Sequence, residues 1–174
     1  MERVGVCVVG LGWMGRVHCE AFASVSDKVA LFVASRDPAK AKEFAEKFGA
    51  EGWFGDYEKP FGDERVHVID ICLPHDLHLP VAIKAFEAGK HVLTEKPMAL
   101  NLGEAKQMVQ AARRHGKLLA VAENMRTYDH CVRARQLISD GAIGEPFFVQ
   151  INHFAYYVPQ GWRQPMSSAG GGSL

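Results

Sequence analysis

The stretch Cys7–His18, CVVGLGWMGRVH, decides the fold. A β-branched apolar run stops at Gly10, and a helical pattern opens behind it. Gly10, Gly12 and Gly15 stand between the two in G-x-G-x-x-G spacing. Gly10 permits the tight turn, Gly12 lets backbone approach a pyrophosphate, and Gly15 lets the helix pack closely on the strand. The free amides at the helix start, with Trp13 and Met14 among them, then face the phosphates. The bland alternative, a tight turn with no ligand, uses the same glycines. The pattern around the loop favours the ligand.

Outward from that loop, short β-branched runs alternate with helical segments. Strands are predicted at VGVCVV, VALFVA, VHVIDIC, HVLT and LLAVA, and helices at GRVHCEAFASV, PAKAKEFAEKFG, HLPVAIKAFEAG and NLGEAKQMVQAARRHG. Gly49, Gly89 and Gly116 occupy the positions where a left-handed residue ends a helix. Asn101 and Glu104 form a capping-box pattern with Asn in place of Ser or Thr. The strands are apolar at nearly every position, as in a parallel sheet covered on both faces. The fold class is α/β, a doubly wound, mostly parallel sheet. Past Asn124 the pattern changes. A helix in YDHCVRARQLISDG stops at Gly141, and FFVQINHFAYY reads as a half-polar strand opening a second α+β domain. The expected division is residues 1–124 for the dinucleotide domain and 125–174 for the start of the second.

Composition narrows the function. Lys plus Arg equals Asp plus Glu at 20 each, so net charge is zero and no polyanion footprint points to nucleic acid. The apolar runs are far shorter than a membrane span, and MER leads straight into a strand without a signal peptide. Cys7, Cys19, Cys72 and Cys131 form no C-x-x-C pair, Cys7 and Cys72 read as buried thiols, and a reducing cytoplasm is expected.

The second strand should end in the residue that reads the adenosine ribose. Ser35 and Arg36 stand there. Asp37 precedes Pro38 and reads as a helix N-cap with proline at the first helical position. A hydroxyl and a guanidinium suit a 2′-phosphate, which favours NADP over NAD. The carboxyl ends of later strands, ICLPHDLH, HVLTEKP and AVAENMR, supply further cofactor candidates: Leu73, Pro74, His75, His78, Glu95, Lys96 and Asn124. His75 and His78 form H-x-x-H, but two histidines without a third ligand make no metal site, and none is expected. His78 is expected to start a helix beside the nicotinamide ribose. Lys96 is either a surface lysine or, over a hydride-transfer site, a cation that binds the substrate oxygen and assists its proton transfer.

GLGWMGRVH, CLPHDLHLPVAIKAFEAGKHVLTEKPMAL and LISDGAIGEPFFV together resemble the glucose–fructose oxidoreductase/inositol dehydrogenase (Gfo/Idh/MocA) family over nearly the whole chain. The resemblance implies a Rossmann domain followed by a second domain on a large antiparallel sheet. It also implies a catalytic role for Lys96, Glu95 near the nicotinamide, a carbohydrate-like substrate and a homo-oligomer. His75 stands where the family pattern has asparagine. The terminal WRQPMSSAGGGSL resembles the approach to the family's D-x-G-x-H motif, so the ending reads as a cut and the chain alone as inactive. Three functions remain open: an NAD(P)-dependent oxidoreductase acting on a sugar, cyclitol or diol hydroxyl; a non-catalytic dinucleotide-binding module; and a glycosidase-like relative that uses its cofactor transiently.

Overall fold

The computed structural model describes residues 3–152 and 160–170. Six strands form one all-parallel sheet: β1 (Val4–Val9), β2 (Val29–Ala34), β3 (Gly52–Phe54), β4 (Val68–Ile71), β5 (His91–Thr94) and β6 (Leu119–Val121). Their order is β3-β2-β1-β4-β5-β6. The chain winds outward from β1 to one edge, returns, and winds outward from β4 to the other. The reversal places a crevice at the carboxyl ends of β1 and β4.

Helices cross over between the strands: α1 (Trp13–Ala23), α2 (Pro38–Phe48), α3 (His78–Glu87) and α4 (Leu102–Arg114). The period of two along β1 sorts its side chains into two cores. Val8 joins Leu31, Val33, Cys19, Ala41 and Phe44 under α1 and α2. Cys7 and Val9 join Phe32, Ile69, Ile71, Val81, Phe86 and Met108 under α3 and α4. Burial on both faces accounts for the unbroken apolar runs in β1 and β2.

The helix ends follow local chemistry. Asp37 caps α2, its Oδ1 accepting from Ala39 N–H at 3.0 Å and Lys40 N–H at 3.3 Å. Asn101 caps α4 through the Glu104 amide, and Glu104 reaches back to the Leu100 amide and the Asn101 side chain. Gly49, Gly89 and Gly116 take the left-handed conformation expected of them.

The sequence differs from the structure in two places. β3 was not predicted, because three half-exposed edge residues beginning with glycine give no apolar run. The predicted strand in FFVQINHFAYY is the second. Phe147–Asn152 form no strand among the described residues, and Phe147 is 99% exposed; residues 153–157 lie outside the described residues. A strand exists through its hydrogen-bonded ladder, and no partner strand meets this segment among the described residues.

The chain divides into two compact units, residues 1–122 with 161–174, and residues 123–160. The second contains a short turn at Asn124–Thr127 and helix α5 (Asp129–Ser139), closed by left-handed Gly141. No helix among the described residues is long and apolar enough to cross a membrane.

Candidate functional site

The glycine loop runs from the end of β1 into α1. Gly10 has φ of +97°, and a Cβ there would stand 2.5 Å from the Cys72 carbonyl oxygen. At Gly15 a Cβ would stand 2.0 Å from the Gly10 oxygen, so only a bare α-carbon lets α1 pack this closely. Gly12 differs from both. Nothing lies within 4 Å of its Cβ position, and it is the N-cap of α1 with no side-chain cap for the first amides. Those uncapped N–H groups lie at the positive end of an 11-residue helix, a setting whose field favours an anion. Trp13 is exposed beside them and Met14 half-buried.

At the end of β2 the Ser35 hydroxyl oxygen accepts the Asp37 N–H at 3.1 Å, and Arg36 is exposed without an ion pair among the described residues. With the Asp37 carboxylate engaged by the α2 amides, no free acidic side chain stands at this strand end among Ser35, Arg36 and Asp37. Leu73 and Pro74 are half-buried at the end of β4, on the other side of the reversal.

His75 Nδ1–H donates to the Ala169 carbonyl oxygen at 2.9 Å, and its ring meets the Trp162 ring edge to face with centroids 4.7 Å apart. Sequence reasoning missed that neighbour, for a contact 87 positions away has no local signal. His78 begins α3 as expected, but it is fully buried. Its ring nitrogens stand 3.0 Å from the carbonyl oxygens of Pro97 and Leu73, and burial holds its pKa below the usual histidine range. The ring thus braces the ends of β4 and β5. With no exposed surface, His78 reaches a ligand only through the backbone it braces.

Lys96 follows β5 and is exposed, and its peptide bond to Pro97 is cis. Glu95 beside it is buried. Its Oε2 accepts the Lys96 N–H at 3.1 Å, and its Oε1 lies 3.1 Å from His18 Nε2. His18 Nδ1 lies 2.7 Å from Oδ2 of fully buried Asp70. Burial alone would push Glu95 up, but His18 and Lys96 outweigh it and hold the carboxyl below its usual range. Burial alone would lower His18, and the bonds to Asp70, Cys72 and Glu95 instead raise it to about 12. Burial pushes Asp70 up from the ordinary carboxylate range, against the pull of His18. Neither His18 nor Asp70 was singled out from the sequence; histidine inside a helix and aspartate inside an apolar strand declare themselves only when the strand order places them together.

Asn124 lies in the second unit, exposed, its amide donating to the Tyr128 hydroxyl at 2.8 Å. The other candidates, Gly10, Gly12, Trp13, Met14, Gly15, Ser35, Arg36, Leu73, Pro74, His75, His78, Glu95 and Lys96, all belong to the first unit.

An open parallel sheet in this order, with a glycine loop entering a helix at the reversal, defines the dinucleotide-binding Rossmann class. The chain belongs to the Gfo/Idh/MocA oxidoreductases: residues 4–123 match the family described as an oxidoreductase family with an NAD-binding Rossmann fold. It is 33% identical to the levoglucosan dehydrogenase of Pseudarthrobacter phenanthrenivorans, an alignment covering 100% of this chain and 48% of that protein. A crystal structure of an NAD-binding oxidoreductase from Klebsiella pneumoniae superposes with a TM-score of 0.84 at 35% identity, covering 99% of this chain and 50% of that one. A levoglucosan dehydrogenase in complex with NADH and levoglucosan superposes with a TM-score of 0.84 at 31% identity, covering 98% of this chain and 50% of that one. The chain thus spans about half the length of these relatives.

Proposed function

We propose that this chain is the cofactor-binding part of an NAD(P)-dependent oxidoreductase acting on a hydroxyl of a sugar, cyclitol or related diol. The observation that carries the proposal is the open, uncapped N-terminus of α1 at Gly12, on the same sheet end as exposed Lys96. The residues fit a dinucleotide: Gly12 leaves room for a pyrophosphate, the first amides of α1 donate to it, and Ser35 and Arg36 stand at the ribose edge. The nicotinamide, when bound, supplies the hydride acceptor or donor. Lys96 holds the reacting hydroxyl oxygen with its ammonium and takes part in its proton transfer. Leu73, Pro74, His75 and Glu95 line the crevice. The domain division is inferred as residues 1–124 and 125–174, with the substrate held chiefly by the part of the relatives that this chain does not span. A homo-oligomer is inferred from the exposed Phe147, Phe148, Val149 and Ile151. Four free cysteines favour the cytoplasm.

Nicotinamide absorbance tests the reaction, followed with sugars, cyclitols and diols and a Lys96→Ala control. The expected result, in the longer protein of which this chain is proposed to be the cofactor-binding part, is net cofactor reduction that falls about 10²–10⁴-fold in the control, while the 174-residue chain alone turns over almost nothing. Sugar release without net reduction identifies transient cofactor use, and binding with neither reaction identifies a non-catalytic module.

NADP is proposed as the preferred cofactor, because Asp37 is engaged as a cap and leaves Ser35 and Arg36 at the ribose edge. Arg36→Ala is expected to weaken NADPH binding by about 1–3 kcal/mol, the scale of a hydrogen bond to a charged group, and NADH binding less. Equal losses for the two cofactors in calorimetry would remove the 2′-phosphate role.

A further inference from the structure

The phosphate loop uses the backbone of α1, and nothing in the proposed reaction uses His18 and Asp70 beneath it. His18 on α1 meets Asp70 of β4 at 2.7 Å and Glu95, just after β5, at 3.1 Å. The second oxygen of Glu95 accepts the Lys96 amide. One continuous chain of bonds therefore runs from the helix of the glycine loop to the backbone that carries Lys96. The side chains are nearly out of solvent, with relative exposures of 12% for His18, 0% for Asp70 and 9% for Glu95. Asp70 Oδ1 is buried without a hydrogen-bond partner among the described residues, and Oδ2 accepts from His18 at 2.7 Å and from the Cys72 thiol at 3.9 Å.

We propose that His18 is a positioning residue: through Glu95 it ties the helix whose N-terminus faces the dinucleotide to the strand end that presents Lys96. The roles of dinucleotide and Lys96 in this statement rest on the proposed function; the tie itself is a property of the chain. A neutral imidazole has one N–H for two facing carboxylates, whereas an imidazolium donates to both. The raised pKa of His18 and the depressed one of Glu95 agree with the imidazolium.

No other charge competes for the ring. Asp70 and the Cys72 thiol face it from β4 and its end and Glu95 from the end of β5; behind them Lys96 acts on Glu95, Cys7 of β1 faces Asp70, and on α1 Cys19 interacts with His18 and with Glu20. Burial pushes Cys19 and Cys72 up to about 12 and Cys7 upward, so all three stay neutral thiols. The 2.7 Å from ring to Asp70 is a hydrogen-bond length, too short to hold a cation between the two atoms. Such a tie fixes Lys96 against the nicotinamide, where displacement by about 1 Å costs on the order of 10²-fold in rate.

The test uses His18→Gln/Asp70→Asn, which removes the imidazolium together with the fully buried Asp70 carboxylate and leaves Glu95, beside Lys96, as the carboxylate to be read. In chain with carbon-labelled glutamate, the Glu95 carboxyl should titrate about tenfold more weakly as an acid, one pH unit higher, than in wild type. Amide exchange at Lys96 should accelerate about tenfold relative to Val9 and Ile71 in the sheet. NADH affinity should change by less than about threefold, since backbone amides hold the phosphates. If the double variant fails to fold, Glu95→Gln substitutes for it. Lys96 exchange should again rise about tenfold while the His18 ring nitrogens both keep their protons at neutral pH. Unchanged Glu95 titration and unchanged Lys96 exchange would overturn the proposal. Failure of the wild-type chain to bind NADH would instead remove the proposed function, leaving the tie to be judged on the Glu95 and Lys96 signals.

Discussion

Gly12→Val chain folds as the wild type does and binds neither NADH nor NADPH. The separation of fold from binding comes from the local geometry. Gly12 has φ of −80° and ψ of −159°, extended backbone open to valine, and nothing lies within 4 Å of its Cβ position. The isopropyl group therefore enters open space over the N-terminus of α1, where the pyrophosphate would stand. Displacing the phosphates from two amides removes hydrogen bonds of about 1.5–3 kcal/mol each. Affinity for both cofactors should fall by about 10²-fold or more, with circular dichroism and the denaturation midpoint close to wild type. A side chain at Gly15 is a different experiment, because it would meet the Gly10 carbonyl at 2.0 Å and break the loop itself. Folded Gly12→Val protein with unchanged affinity would remove the phosphate-loop assignment.

The second large effect is a loss of stability as pH rises from near neutrality. His18 is raised in the folded chain to about 12 from an ordinary value of 6.5. Between those values the folded state keeps a proton that the unfolded state has released, so unfolding becomes easier as pH increases. The stability that His18 contributes is fully present below about pH 6.5 and is lost as pH climbs toward the folded value. From about pH 6.5 to 8.5 the unfolding free energy should drop by about 2 kcal/mol, close to one proton's slope of about 1.4 kcal/mol per pH unit. That window belongs to His18. His78 and His91, held low by burial, act with opposite sign below it. The raised thiols of Cys7, Cys19 and Cys72 add losses of the same sign above it, and Lys90, lowered by burial, opposes them at the alkaline side. Urea denaturation at three pH values in the window measures the slope. His18→Gln/Asp70→Asn should flatten it, and a flat wild-type profile would show that the ring is not an imidazolium.

The fold was legible because its signals are local. Each strand buried on both faces reads as an apolar run, α2, α3, α4 and α5 are each followed by a left-handed glycine, and the three loop glycines have separate steric reasons, visible at Gly10 and Gly15 as backbone contacts that no side chain could share. Asp37 was read as a cap from the proline after it, and it is one. What the sequence hid is what depends on distant partners. β3 has too few residues to announce itself, and Phe147–Asn152 carry strand-like chemistry without a ladder. The charged group at His18, Asp70 and Glu95 joins residues 52 and 77 positions apart. His78 adds another distant pairing: its two nitrogens face carbonyls of the loops after β4 and β5, partners that no local signal announces.

The open N-terminus of α1 is proposed to hold a nicotinamide dinucleotide, and calorimetric titration of NADH and NADPH into the chain decides whether it does. Amide spectra recorded on the same samples locate the site. The account predicts saturable binding of one dinucleotide per chain, tighter for NADPH, with the largest shifts at Gly12, Trp13, Met14 and Gly15. Absence of heat with either cofactor, or binding that leaves those four amides unmoved, would contradict it.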